Sequence, residues 1–114
     1  MPSVRQVRGT AAEDQAVELL RKKNYEILGR HITSRFGEID ILVRDGETLV
    51  AVEVKYRSND AMGQAIEGVT PAKLEKINAA LEDYCAREKI VAPDIRIDVV
   101  AIDGRRIEHF IGVE

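Results

Sequence analysis

GEIDILVRDGETLVAVEVKYR, running from Gly37 to Arg57, decides the fold. It reads as two strands joined at Asp45-Gly46, a dipeptide suited to a two-residue turn of the primed type. That turn pairs Arg44 with Glu47, Leu42 with Leu49, Asp40 with Ala51 and Glu38 with Glu53. Side chains alternate along a strand, and paired residues share a face. One face then carries Ile39, Ile41, Val43, Thr48, Val50, Val52, Val54 and Tyr56, nearly a pure core surface. The other carries Glu38, Asp40, Leu42 and Arg44 with Glu47, Leu49, Ala51, Glu53, Lys55 and Arg57. A slip of one residue mixes the two faces, so the pattern itself selects against it.

Strands disfavour Asp, Glu and Lys, and like charges placed opposite each other repel. Two readings account for the charged face. Lys55 and Arg57 can offset the acids on a solvated sheet surface. Alternatively, a divalent cation sits among Asp40 and Glu53, which this register makes diagonal neighbours with Lys55 further along the same side. Mg²⁺ and Mn²⁺ take oxygen ligands, and Mg²⁺ keeps several waters, so two carboxylates suffice. The interleaved Leu42, Leu49 and Ala51 favour the second reading. A wholly wet face has no need of them, and they imply cover by a helix.

A first helix is expected from Ala11 to Lys23, with Thr10 as N-cap and Glu13 at capping-box spacing. Ala12, Ala16, Leu19 and Leu20 form its buried stripe. Glu13 has two readings: the capping box, or a third acid turned toward the sheet that completes the ion's surroundings directly or through water. Tyr25 to about Arg35 reads as a strand, and the segment after the hairpin as a loop. A second helix starts at Thr70-Pro71, an N-cap followed by Pro at the first helical position. IRIDVVAI and RIEHFIGV are strands around Asp103-Gly104, and a two-residue turn there sets His109 opposite Asp98 as a structural pair. The order αβββαββ predicts a mixed α/β sheet with helices packed on it.

The chain of 114 residues is read as one domain, residues 1–114. It holds five aromatic residues, too few for a single-strand binder that works by base stacking. The formal charge of −3 weighs mildly against nucleic acid, but it is uneven. Residues 1–35 hold seven basic side chains against four acids, and residues 58–114 seven against eleven. Cys85, the only cysteine, excludes an internal disulfide and reads as core; a cytoplasmic location is expected. The sequence shows no apolar run long enough for a membrane span and no Gly-rich phosphate loop.

Asp40 followed by Glu53-Val54-Lys55 on the next strand resembles the PD-(D/E)XK nuclease constellation. GEIDILVRDG, LVAVEVKYR, VTPAKLEKI and IRIDVVAID together resemble the YraN-like family, small bacterial proteins related to archaeal Holliday-junction resolvases. The likeness runs from about Gly9 to Phe110. Ala12, His31 and Thr33 stand where that family usually carries Gly, Asn and Arg. The resemblance implies a restriction-endonuclease-like αβββαβ core and Mg²⁺- or Mn²⁺-dependent cleavage of DNA, branched DNA included. It implies Asp40, Glu53 and Glu13 as metal ligands, with the Val54 carbonyl as a further one, and Lys55 as the catalytic cation. Arg57 and Lys73 are candidate DNA-backbone contacts, and a homodimer is expected because a four-way junction presents two symmetric cuts. The competing reading is a nuclease-like fold that binds nucleic acid or a protein partner without cutting.

Overall fold

The computed structural model describes residues 4–56, 68–91, 94–104 and 106–114, and for residues 4–10 the backbone course alone. Arg57 and most of the loop expected after the hairpin lie outside the described residues. The order is α1 (Val4–Lys22), β1 (Glu26–Ser34), β2 (Gly37–Asp45), β3 (Thr48–Tyr56), α2 (Pro71–Glu88), β4 (Asp94–Ile102) and β5 (Ile107–Phe110). The strands form one sheet in chain order. Neighbours are antiparallel except β3 and β4, which run parallel with α2 as the crossover between them. This is the mixed α/β sheet flanked by helices that the sequence predicts, and it is compatible with a restriction-endonuclease-like core.

Each helix buries one face of the sheet. Ala12, Ala16, Val17 and Leu20 of α1 pack on Ile41, Val43, Val50 and Val52. Ile77, Ala80 and Leu81 of α2 pack on Leu42, Leu49 and Ala51, the apolar residues that interrupt the charged face. Each fully buried aliphatic side chain contributes about 1.5–3 kcal/mol. The alternation breaks at one end. Ile39 belongs to the α2 layer, not with Ile41 as its parity implies. Its β1 partner Ile32 joins it there, directly after His31, whose backbone is left-handed at φ 51°.

The start of α1 differs from the expected one. The helix reaches back to Val4, so Thr10 lies inside it and Glu13 cannot be part of a capping box. One Gly costs a helix about 1 kcal/mol, which strong formers on both sides outweigh. Asn24, left-handed at φ 66°, ends the helix, and the Tyr25 N–H donates to the Leu20 carbonyl at 3.0 Å. The start of α2 is as expected: Thr70 Oγ1 accepts the Lys73 N–H at 3.2 Å, with Pro71 first in the helix. Thr70→Ala should therefore lower stability by about 1 kcal/mol. Urea unfolding checks this, the midpoint falling at unchanged slope.

Both hairpin registers are shifted by two residues from the expected ones. Asp45 pairs with Thr48 and Leu42 with Ala51, so the turn is Gly46-Glu47. Gly46 there has φ 63°, the conformation a primed turn demands. An even shift keeps every side chain on its face, so parity cannot detect it. In the second hairpin Ile102 pairs with Ile107, which makes the loop four residues long. Asp103 Oδ1 closes that loop by accepting the Arg106 N–H at 2.7 Å. His109 thus faces Val100 in register, yet its Nε2 still reaches Asp98 Oδ2 at 2.8 Å.

Asp98 is the polar knot of the α1 side. It is fully buried and also accepts from Arg96 Nε at 2.8 Å and the Gly112 N–H at 2.9 Å. Arg96 continues to Asp45 and to the Tyr25 hydroxyl, both at 3.1 Å. Lys23 Nζ lies 2.8 Å from His109 Nδ1 and can only donate, so Nε2 carries the hydrogen given to Asp98. Turn, helix end and last strand are thereby tied to β4.

Candidate functional site

The β2–β3 ladder stops at Ile41 and Val52, whereas the β3–β4 ladder continues to Tyr56. Asp40 and Glu53 are the next residue of each strand past that stop, and they interact directly there, by charge and by a side-chain hydrogen bond. Asp40 Oδ2 takes the Val54 N–H at 2.9 Å, so a side chain receives a strand's donor where the ladder has ended. The same shift moves Glu38 away from Glu53 and removes the repulsion expected between them. Glu53 is 7% exposed. Its Oε1 lies 3.4 Å from Lys55 Nζ and 2.7 Å from Lys73 Nζ. Lys73 comes from the first turn of α2, so the crossover helix delivers a second ammonium to the same oxygen.

Burial and then the charge of Glu53 push Asp40 up to about 6, and a hydrogen bond with Glu53 adds to this. The Val54 N–H opposes the shift without cancelling it. The Lys55 ammonium is held below its usual value, first by burial and then by Lys73, with Glu53 opposing. Burial works to lower Lys73 as well, but its hydrogen bonds to Glu53 and Lys55 and the nearby carboxylate charges outweigh it, so Lys73 is raised.

Glu13 stands beside this group. Its side chain is 13% exposed, and Oε1 lies 3.0 Å from His31 Nε2. The other ring nitrogen, Nδ1, lies 2.9 Å from Glu38 Oε1. His31 therefore bridges two carboxylates and is raised, chiefly by the hydrogen bond to Glu38. Asp40 senses the charge of Glu13, though less than that of Glu53. Asp40, Glu53 and Lys55 are thus brought together as the sequence predicts, Lys73 joins them, and Glu13 is engaged by His31. No pattern in the sequence points to the His31 bridge.

Among the described residues no group of three or more His, Cys, Asp or Glu is spaced to hold a metal ion with the side chains as they stand. The Asp40–Glu53 pair nevertheless fits a hard divalent cation. It offers carboxylate oxygens at close quarters, and the raised Asp40 carboxyl marks a place where added positive charge is favoured. Among the described residues no helix is long and apolar enough to cross a membrane.

A model of the uncharacterised protein family UPF0102 matches residues 12–102. The chain belongs to that family. The matched segment takes in Glu13, Asp40, Glu53, Lys55 and Lys73. The UPF0102 protein of Neisseria gonorrhoeae is 36% identical over 104 residues, 91% of this chain and 90% of that one. That of Persephonella marina is 37% identical over 103 residues, 90% and 89% of the two chains. The Ralstonia nicotianae UPF0102 protein is 43% identical over 104 residues, 88% and 80% of the two. UPF0102 is the YraN-like family that the GEID and VEVK-x-R elements resemble.

Proposed function

We propose that the chain is a metal-dependent DNA endonuclease that hydrolyses phosphodiester bonds, those of branched DNA included. The observation that carries this reading is the meeting of Asp40, Glu53 and Lys55 at the open end of the β2–β3 ladder. Asp40 and Glu53 would hold Mg²⁺ or Mn²⁺. Such an ion, when bound, polarises a phosphoryl oxygen and makes water acidic enough to supply hydroxide. Lys55 is a point charge on a flexible stem, 17% exposed and anchored by Glu53. It orients the attacking water and offsets the charge that builds on the phosphate. Attack at phosphorus breaks the bond to the 3′ oxygen, leaving a 5′-phosphate and a 3′-hydroxyl. Glu13, whose Oε1 lies 3.0 Å from His31 Nε2, would complete the ion's surroundings directly or through a bound water.

Mn²⁺-dependent nicking of duplex, flap and four-way DNAs, with Asp40→Asn alongside, tests the proposal. The wild type nicks at least one of them, and chelator stops it. Equal cleavage by both proteins would trace the activity to a contaminant. Retention of DNA at low salt without cleavage would favour the non-cutting binding module instead.

A further inference from the structure

We propose that Lys73 competes with the divalent cation for Glu53 and, once displaced, carries its ammonium to a substrate phosphate. The inference rests on the reading of Asp40 and Glu53 as cation ligands. Lys73 Nζ is 2.7 Å from Glu53 Oε1, the closer of the two ammoniums at that oxygen. It is also the more accessible, with its side chain 37% exposed against 17% for Lys55. An ion that takes Oε1 as a ligand therefore competes first with Lys73, the shorter and more exposed of the two contacts.

The backbone around Lys73 is fixed while its stem is not. Its N–H is bound to Thr70 Oγ1, and the side chain swings from that point. It leaves a helix N-terminus, where an anion such as phosphate is favoured. Charge is conserved through the exchange. Two carboxylates and two ammoniums balance at the site; the cation replaces one ammonium, and a phosphodiester offsets the excess. The freed Lys73 neutralises a neighbouring phosphate. Cation entry is thereby linked to the seating of the DNA backbone.

Calorimetric titration with Mn²⁺ alone tests this without reference to cleavage. Lys73→Met is expected to bind Mn²⁺ roughly tenfold more tightly than the wild type, the loss of one competing contact. Lys73→Arg, which keeps a cation in place, binds as the wild type does. Lys76→Met removes an equal charge from the same helix and leaves the affinity within about twofold, since distant surface charge is screened. Equal affinity in the wild type and Lys73→Met would overturn the competition while leaving the cation site intact. Equal tightening by Lys73→Met and Lys76→Met would reduce it to general electrostatics and overturn it too. Binding to none of these proteins would overturn both the competition and the cation site.

Discussion

Asp40→Asn should abolish Mn²⁺-dependent nicking, by on the order of a hundredfold or more, and at the same time stabilise the fold. The first effect follows from removing an anionic ligand at the reacting phosphate. The second follows from the neighbours of Asp40. Burial and Glu53 raise it from 3.8 to about 6 in the folded chain. Below the lower value both folded and unfolded chains hold the proton, and the group contributes nothing. As pH rises from there to about 6, the unfolded chain releases its proton first, and stability is lost. Above that window the full cost remains, on the order of 3 kcal/mol. Asparagine carries no charge and can still accept the Val54 N–H, so it removes a large part of this cost. Urea unfolding at pH 7.5 should show Asp40→Asn more stable by about 1–2 kcal/mol, with the difference shrinking at pH 4. An Asn variant no more stable than the wild type at pH 7.5 would contradict the buried pair.

Asp98→Ala should be the most damaging single change to the fold outside the apolar layers, costing about 3–5 kcal/mol. The carboxylate is fully buried and holds Arg96, His109 and the Gly112 N–H together. Its loss leaves buried donors without an acceptor and a guanidinium short of a partner. Burial works to raise Asp98, but the hydrogen bonds from His109, Arg96 and Gly112 outweigh it and hold the carboxyl below its ordinary value. The stability it contributes is full above the unfolded value and lost as pH falls through the lower folded one. Its window thus lies on the acid side of the Asp40 window. These two groups alone place the stability maximum near pH 4, between the two transitions. Urea midpoints measured from pH 2.5 to 8 would trace both limbs. A variant lacking Asp98 yet within 1 kcal/mol of the wild type would refute its role.

Much of this was legible in the chain because it depends on local spacing. The two faces of the β2–β3 hairpin, the start of α2 at Thr70-Pro71 and the Asp98–His109 contact all rest on alternation or capping. The hairpin registers were not legible, since parity rules out a slip of one residue and is blind to a slip of two. Glu13 looked like a cap because Thr10 precedes it at the right distance. Nothing local announces that the helix continues back to Val4. The meeting of Lys73 with Glu53 depends on where a crossover helix docks on the sheet, a tertiary result. His31 carried no periodic signal, because its bridge depends on a left-handed backbone at one strand position.

That same backbone position shapes how β1, the outermost strand on its side, meets other chains. A sheet margin recruits a foreign strand only if it offers a regular row of donors and acceptors. Here the row is interrupted twice, by the register shift between Ile27 and Gly29 and by the turned backbone of His31. Glu26 and Arg30 add charge along the same margin. A nine-residue strand that would otherwise invite cross-chain aggregation is thereby made a poor template for it.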